Sequence, residues 1–233
     1  QAFNWNLAAA EFDLSVIAQN AERFRKLGIT ACVFHGFFMS DRQVPAFGHG
    51  KSYHQCLMEI YRPELSMYAD HYFNNDFTGS SEFAERRERV KMRLAAIRAA
   101  HPDILWAIEN DYPAYGSGNM VARDMLKLDS PLCLDTSHLW LTSKIFNLDF
   151  QHEVDQFTCQ GRIKMVHLHA SKYDDSYPVR EWSDGHLPLN TANRMDLPRV
   201  VRRCLADGCD HFVLEIVSGT AGDIEIFNRW SKQ

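Results

Sequence analysis

The chain has 233 residues, 45% of them hydrophobic and 24% charged, with a formal net charge of -5. Those proportions fit a globular chain with a sizeable core and exclude a disordered polymer. The mild acidity disfavours a nucleic-acid partner, although a basic groove can hide under a negative total, and no apolar run reaches the roughly 18 residues needed to cross a membrane.

In chain order, FNWNL reads as a short strand. Leu14, Ile17, Ala18, Ala21 and Phe24 recur at helical spacing and the run closes at Gly28, a residue suited to ending a helix. ITACVFH follows as a strand ending near His35. A loop containing PAFGHG leads to a helix near SYHQCLMEIY, and then ELSMYADHYF reads as a strand ending at His71. Ser80 and Ser81 offer an N-cap for a long helix through Ala100, with Glu82 and Glu85 in its first turn at the positive helix end. In that helix Glu82–Arg86 and Glu85–Arg89 lie four apart and predict a solvated face of ion pairs.

DILWAIE is the next strand. A helix near Asn119–Lys127 precedes the strand PLCLD, and another near Phe150–Cys159 precedes RIKMVHLH. Leu197, Val200, Val201, Cys204 and Leu205 form the last clear helical stripe, ended by Gly208 before the strand HFVLEIV. Strands separated by single helices need crossovers, hence a parallel sheet covered by helices. The count is about seven strands, with no repeat or linker, so residues 1–233 read as one domain. Because several different strands deliver chemistry at their carboxyl ends, a (β/α)8 TIM barrel is expected rather than an open sheet. Such a barrel typically has about 250 residues, and this chain starts without Met. The expectation is a barrel lacking the first βα unit at its N-terminus.

The six cysteines, Cys32, Cys56, Cys133, Cys159, Cys204 and Cys209, contain no CxxC pair and several fall in apolar patterns. They are expected to be buried thiols of a cytoplasmic protein, since QAFNWN has no charged region followed by an apolar stretch.

Chemistry concentrates at the strand ends. Glu109 and Asp135 complete apolar strands, and Glu215 repeats the pattern in FVLEIV. A carboxylate in that position must be paired or bound to a cation. Three of them, with no Arg or Lys at equivalent strand ends, would repel one another unless a cation sat among them. His167 and His169 are two apart on one strand and can point the same way. Asp184 and His186 share that spacing in a long loop, where a hydrogen-bonded turn is the alternative; His35 and His71 are single strand-end histidines. Trp140, Tyr173, Tyr177 and Trp182 fall in the loops beyond, as hydrophobic packing or as a platform for a sugar face. YGSGN lacks the spacing of a phosphate-binding glycine loop.

IENDYP, CLDTSH, VHLHASK, DGHLPL and VLEI, in this order, resemble the xylose isomerase-like TIM-barrel superfamily, which includes sugar isomerases and epimerases, inosose dehydratases and enzymes of the endonuclease IV class. The resemblance covers about residues 29–217. It implies a divalent metal, Mn, Mg or Co, held by Glu109, Asp135, His167 and Glu215. It further implies Glu109 and Glu215 as the acid/base pair on opposite faces of a small sugar or polyol, with His138, His169, Trp140 and Trp182 as candidate substrate contacts.

Endonuclease-type members use several zinc ions, and His35, His71, His138, Asp184 and His186 match their additional ligand positions. The pattern departs from that class in three places: Tyr72-Phe73 follows His71 where Pro-Gly is usual, DYPAYG follows Glu109-Asn110 instead of a compact glycine turn, and Asn190 follows HLPL where glycine is usual. The expected activity is therefore a metal-dependent isomerase, epimerase or related dehydratase. The alternatives are a multi-zinc phosphodiesterase acting on abasic-site DNA and a non-catalytic metal- or sugar-binding barrel. The sequence leaves assembly into a homo-oligomer open.

Overall fold

The computed structural model describes residues 5–45 and 50–232. Within it the chain divides into two compact units: Gln1–Glu109 with Pro113–Asn119 and Leu126–Pro131, and Asn110–Tyr112 with Met120–Met125 and Leu132–Gln233.

The first unit contains helix α1 (Ser15–Lys26), strand β1 (Ala31–Phe34), helix α2 (Tyr53–Met58), helix α3 (Ser81–Ala100) and strand β2 (Leu105–Glu109). β1 and β2 pair in parallel, with Ala31 opposite Leu105 and Phe34 opposite Ile108. As the sequence predicts, Ser80 caps α3 by accepting a hydrogen bond from the Phe83 N–H. Phe83, Val90, Leu94 and Ile97 form its buried stripe.

Arg86 falls on that same stripe, and here the structure corrects the expected solvated face. The Arg86 side chain is only 6% exposed. It does pair with Glu82 at 2.8 Å, but its guanidinium also reaches the carbonyls of Ala8 and Ser40 and the carboxylate of Asp41. Arg89 and Arg93 continue this row onto the carbonyls of Ala8 and of Leu7, Ala9 and Ala10. A buried guanidinium requires such partners, and the row uses the chain's own early carbonyls.

ELSMYADHYF is not a strand. Pro63–Leu65 is a single 3-10 turn, and Ser66 bridges Asn74 in antiparallel fashion. The Met67 N–H bonds the Phe73 carbonyl at 2.7 Å, so the segment doubles back and satisfies its backbone locally. Of FNWNL, Trp5–Leu7 form no strand and the rest lies outside the described residues, as does most of PAFGHG.

The second unit alternates helix α4 (Ala122–Met125), strand β3 (Leu132–Asp135), helix α5 (Thr136–Ile145), helix α6 (Phe150–Phe157), strand β4 (Ile163–Leu168), helix α7 (Leu197–Ala206), strand β5 (Phe212–Leu214) and helix α8 (Ala221–Trp230). β4 lies between β3 and β5, and both pairings are parallel. This is the expected α/β arrangement of parallel strands joined through helices; the described residues hold five strands rather than about seven.

The predicted helix at 119–127 shrinks to α4 plus a 3-10 turn at Leu126–Leu128. Two helices go unpredicted. α5 starts directly at the end of β3, so no polar loop announces it, and α8 is marked only by its capping box, Thr220 with Asp223. Cys56, Cys133, Cys204 and Cys209 are buried thiols as expected, whereas Cys32 is half-buried and Cys159 is exposed.

Candidate metal centre

Parallel register assembles the centre within the second unit. Asp135, the last residue of β3, stands opposite His167 of β4, and Leu168 of β4 stands opposite Leu214 of β5. Glu215 is the next residue. One donor atom from each of Asp135, His167 and Glu215 lies within 4.8 Å of the others. His167 Nδ1 is 3.1 Å from Glu215 Oε2, and that contact holds the Glu215 carboxyl below its usual range despite partial burial.

Asp135 is completely buried and has several tasks. One oxygen accepts the His138 N–H at 2.8 Å and so caps α5; the other meets His169 Nε2 at 2.9 Å. Burial pushes its carboxyl up, but the facing His138 and His169 outweigh burial and hold it low. Thr136 fixes His169 in turn, its hydroxyl donating to the His169 carbonyl at 2.8 Å.

The loop after β4 returns to the strand end because Ala170 and Leu187 form an antiparallel bridge. That closure carries Asp184 and His186 inward. His186 takes a left-handed backbone, φ 43°, directly after Gly185, and its Nδ1 donates to the Glu215 carbonyl at 2.9 Å. Its Nε2 then faces Asp184 Oδ2 at 2.7 Å.

His138 repeats the arrangement. Nδ1 donates to the Asn110 carbonyl at 2.8 Å, and Nε2 faces Asp184 Oδ2 at 3.0 Å. Burial raises the Asp184 carboxyl, but the two facing imidazoles outweigh it and hold the carboxyl well below its usual range. The contact with Asp184 pushes His186 up to about 9.

His169, Asp184 and His186 form a second group of donors within 4.8 Å of one another, with the His169 and His186 rings stacked at 4.4 Å. His169 Nδ1 and Asp184 Oδ1 are buried and make no hydrogen bond. Buried polar atoms without protein partners are uncommon, and two beside a carboxylate and an imidazole fit the surroundings of a cation.

Three further sequence candidates, Glu109, His35 and His71, belong to the first unit. Glu109 ends β2 in the first unit and is buried. His35 follows β1, and its carbonyl accepts the Asn119 side-chain amide. His71 sits in the doubled-back segment, stacked on Phe73 at 4.3 Å, with Nδ1 accepting the Tyr72 N–H at 2.9 Å. Neither histidine belongs to a group of three donors among the described residues.

Trp140 and Trp182 are 5% and 7% exposed, and their indole N–H groups donate to the carbonyls of Tyr173 and Tyr177. Trp140 lies on α5 rather than in a loop, and both indoles pack against loop carbonyls. Sequence reasoning missed Asn110 and Thr136, whose only signal is a polar residue directly following a strand-end carboxylate.

Solved structures of sugar epimerases and a related domain share this fold. A D-tagatose 3-epimerase-like protein matches over 100% of this chain and 75% of its own, at 13% identity and a TM-score of 0.58. A xylose isomerase domain containing protein from Salmonella typhimurium LT2 matches over 99% and 72%, at 15% identity and 0.52. D-psicose 3-epimerase from Clostridium cellulolyticum H10, in a structure with D-tagatose, matches over 97% and 71%, at 9% identity and 0.50. At these identities the likeness concerns the fold alone. No family model matches the sequence, and no curated protein matches it.

Proposed function

We propose that this chain is part of a (β/α)8 barrel enzyme that isomerises or epimerises a small sugar or polyol carbonyl compound with the help of a divalent cation. The carrying observation is the convergence of Asp135, His167 and Glu215 at the ends of three adjacent parallel strands. Two carboxylates and an imidazole make a donor set suited to Mn, Mg or Co, and the shared fold with sugar epimerase structures supports the substrate class.

A bound cation would polarise the substrate carbonyl and stabilise the negative charge that develops when the neighbouring carbon loses its proton. Glu215, kept ionised by His167, accepts that proton. On the sequence pattern, Glu109 completes the ligand set and returns a proton from the other side. His138, a substrate contact on the sequence pattern, holds Nδ1 on a backbone carbonyl and Nε2 against Asp184 at the edge of the same centre.

Deuterium wash-in from D2O, followed by NMR with ketopentoses and ketohexoses in Mn2+, Mg2+ or Co2+, tests the reading. Exchange should occur at the carbon beside the carbonyl, and Glu215→Gln should slow it by roughly 10²–10⁴-fold. Full exchange in that variant would sink the assignment.

A second reading, phosphodiester hydrolysis by several zinc ions, draws on the group of His138, Asp184 and His186 with its unpartnered Asp184 oxygen. Several zinc ions per purified chain together with cleavage of abasic-site DNA would favour it over the sugar reading.

A further inference from the structure

Asn110 is completely buried, and its polar atoms bond to residues 133–138. Its N–H donates to the Cys133 carbonyl at 3.3 Å. Its side-chain Nδ2 donates to the Asp135 carbonyl at 2.9 Å, and its Oδ1 accepts the Asp135 N–H at 2.7 Å. Its own carbonyl accepts from His138 Nδ1 at 2.8 Å.

The side-chain amide thus copies the bonding of a strand peptide against Asp135. One donor and one acceptor in a rigid plane fix both peptide groups of that residue, and with them the direction of its carboxylate. The carbonyl of the same residue sets the second partner. A carbonyl only accepts, so His138 must carry a hydrogen on Nδ1, and Nε2 is left to face Asp184 at 3.0 Å. The contacts with Asp135 come from the side-chain amide, whereas the His138 contact is made by the backbone and persists whatever residue stands at 110.

We propose that Asn110 is a positioning residue whose side-chain amide sets the Asp135 carboxylate for the cation. The idea rests on the cation-dependent reading above. Outer partners of metal ligands commonly change affinity by about 10–100-fold when removed, which is the size expected here. Asn110→Asp keeps the acceptor but replaces the donor with an oxygen facing the Asp135 carbonyl, whereas Asn110→Ala removes both bonds.

Two measurements on the full chain test this. Long-range imidazole proton–nitrogen spectra in EDTA, with His169→Gln to assign the signal, should show Nε2–H at His169, bonded to the Asp135 carboxylate, in the wild type and its loss or averaging in either variant. Calorimetric titration with Mn2+ alone should show affinity lowered by about 10–100-fold. Melting curves and circular dichroism identify a folded variant, and Asn110→Asp serves if Asn110→Ala does not fold. A folded variant with the wild-type imidazole spectrum, or with Mn2+ affinity within about twofold of wild type, overturns the proposal. If the wild type binds no Mn2+, the proposed function falls and the imidazole spectrum alone judges Asn110.

Discussion

Single residues in this chain are constrained by what touches them more than by their type. Gly118 is the clearest case. A Cβ built there would stand 2.6 Å from the Phe37 ring, and Phe37 is 1% exposed and stacked on Phe83 at 5.2 Å. The ring has nowhere to retreat, so Gly118→Ala should cost about 1–3 kcal/mol. For a chain of this size that lowers the melting temperature by roughly 2–12 °C, readable in a thermal scan. An unchanged melting temperature would mean the Phe37–Phe83 stack is loose. Asp135 illustrates the same principle at the candidate centre, because capping α5 and bonding His169 leave its carboxylate one orientation. The strand-end position of Asp135 is legible from LCLD alone. Its partners are not, since they come from residues 110, 138 and 169.

At the scale of elements, α3 joins a local pattern to a tertiary one. Its N-cap and its apolar stripe follow from sequence spacing. The burial of Arg86 does not, because nothing local distinguishes an arginine that meets water from one that meets the Ala8 and Ser40 carbonyls. Glu82 links this row to Arg62, and the Arg62 contact, followed by that of Arg86, holds the Glu82 carboxyl below its ordinary 4.5. A depressed carboxyl contributes stability above pH 4.5 and loses it as pH falls through the folded value. Glu82 is 38% exposed, so solvent screens the pair and Glu82→Gln should cost roughly 1 kcal/mol at pH 7. Melting curves of wild type and variant should converge as the pH drops towards about 3. A constant gap would assign the effect to packing instead of charge.

For the whole molecule, a cation that binds only the folded chain adds stability by mass action. At about a hundredfold excess over its dissociation constant the gain is about 2.7 kcal/mol, so Mn2+ should raise the melting temperature by roughly 5–11 °C over the EDTA-treated protein. Glu215→Gln should remove most of that shift, and equal melting with and without Mn2+ would count against the centre. Apolar runs ending in Asp135, His167 and Glu215 determine where strands stop, and the helical stripes determine what separates them. Both signals are local, which is why the α/β order and the strand-end acids and imidazoles could be read from the sequence. The segment around His71 was misread because an apolar, aromatic run can satisfy its backbone by folding back as readily as by joining a sheet. Only tertiary structure decided that, and it also decided that His138 and His186 both face Asp184 and that Asn110 clamps Asp135. Those contacts join residues between 2 and 46 positions apart in the chain. Hydrogen-bond partners across such distances leave no periodicity in the chain, whereas burial of a strand or a helix face does.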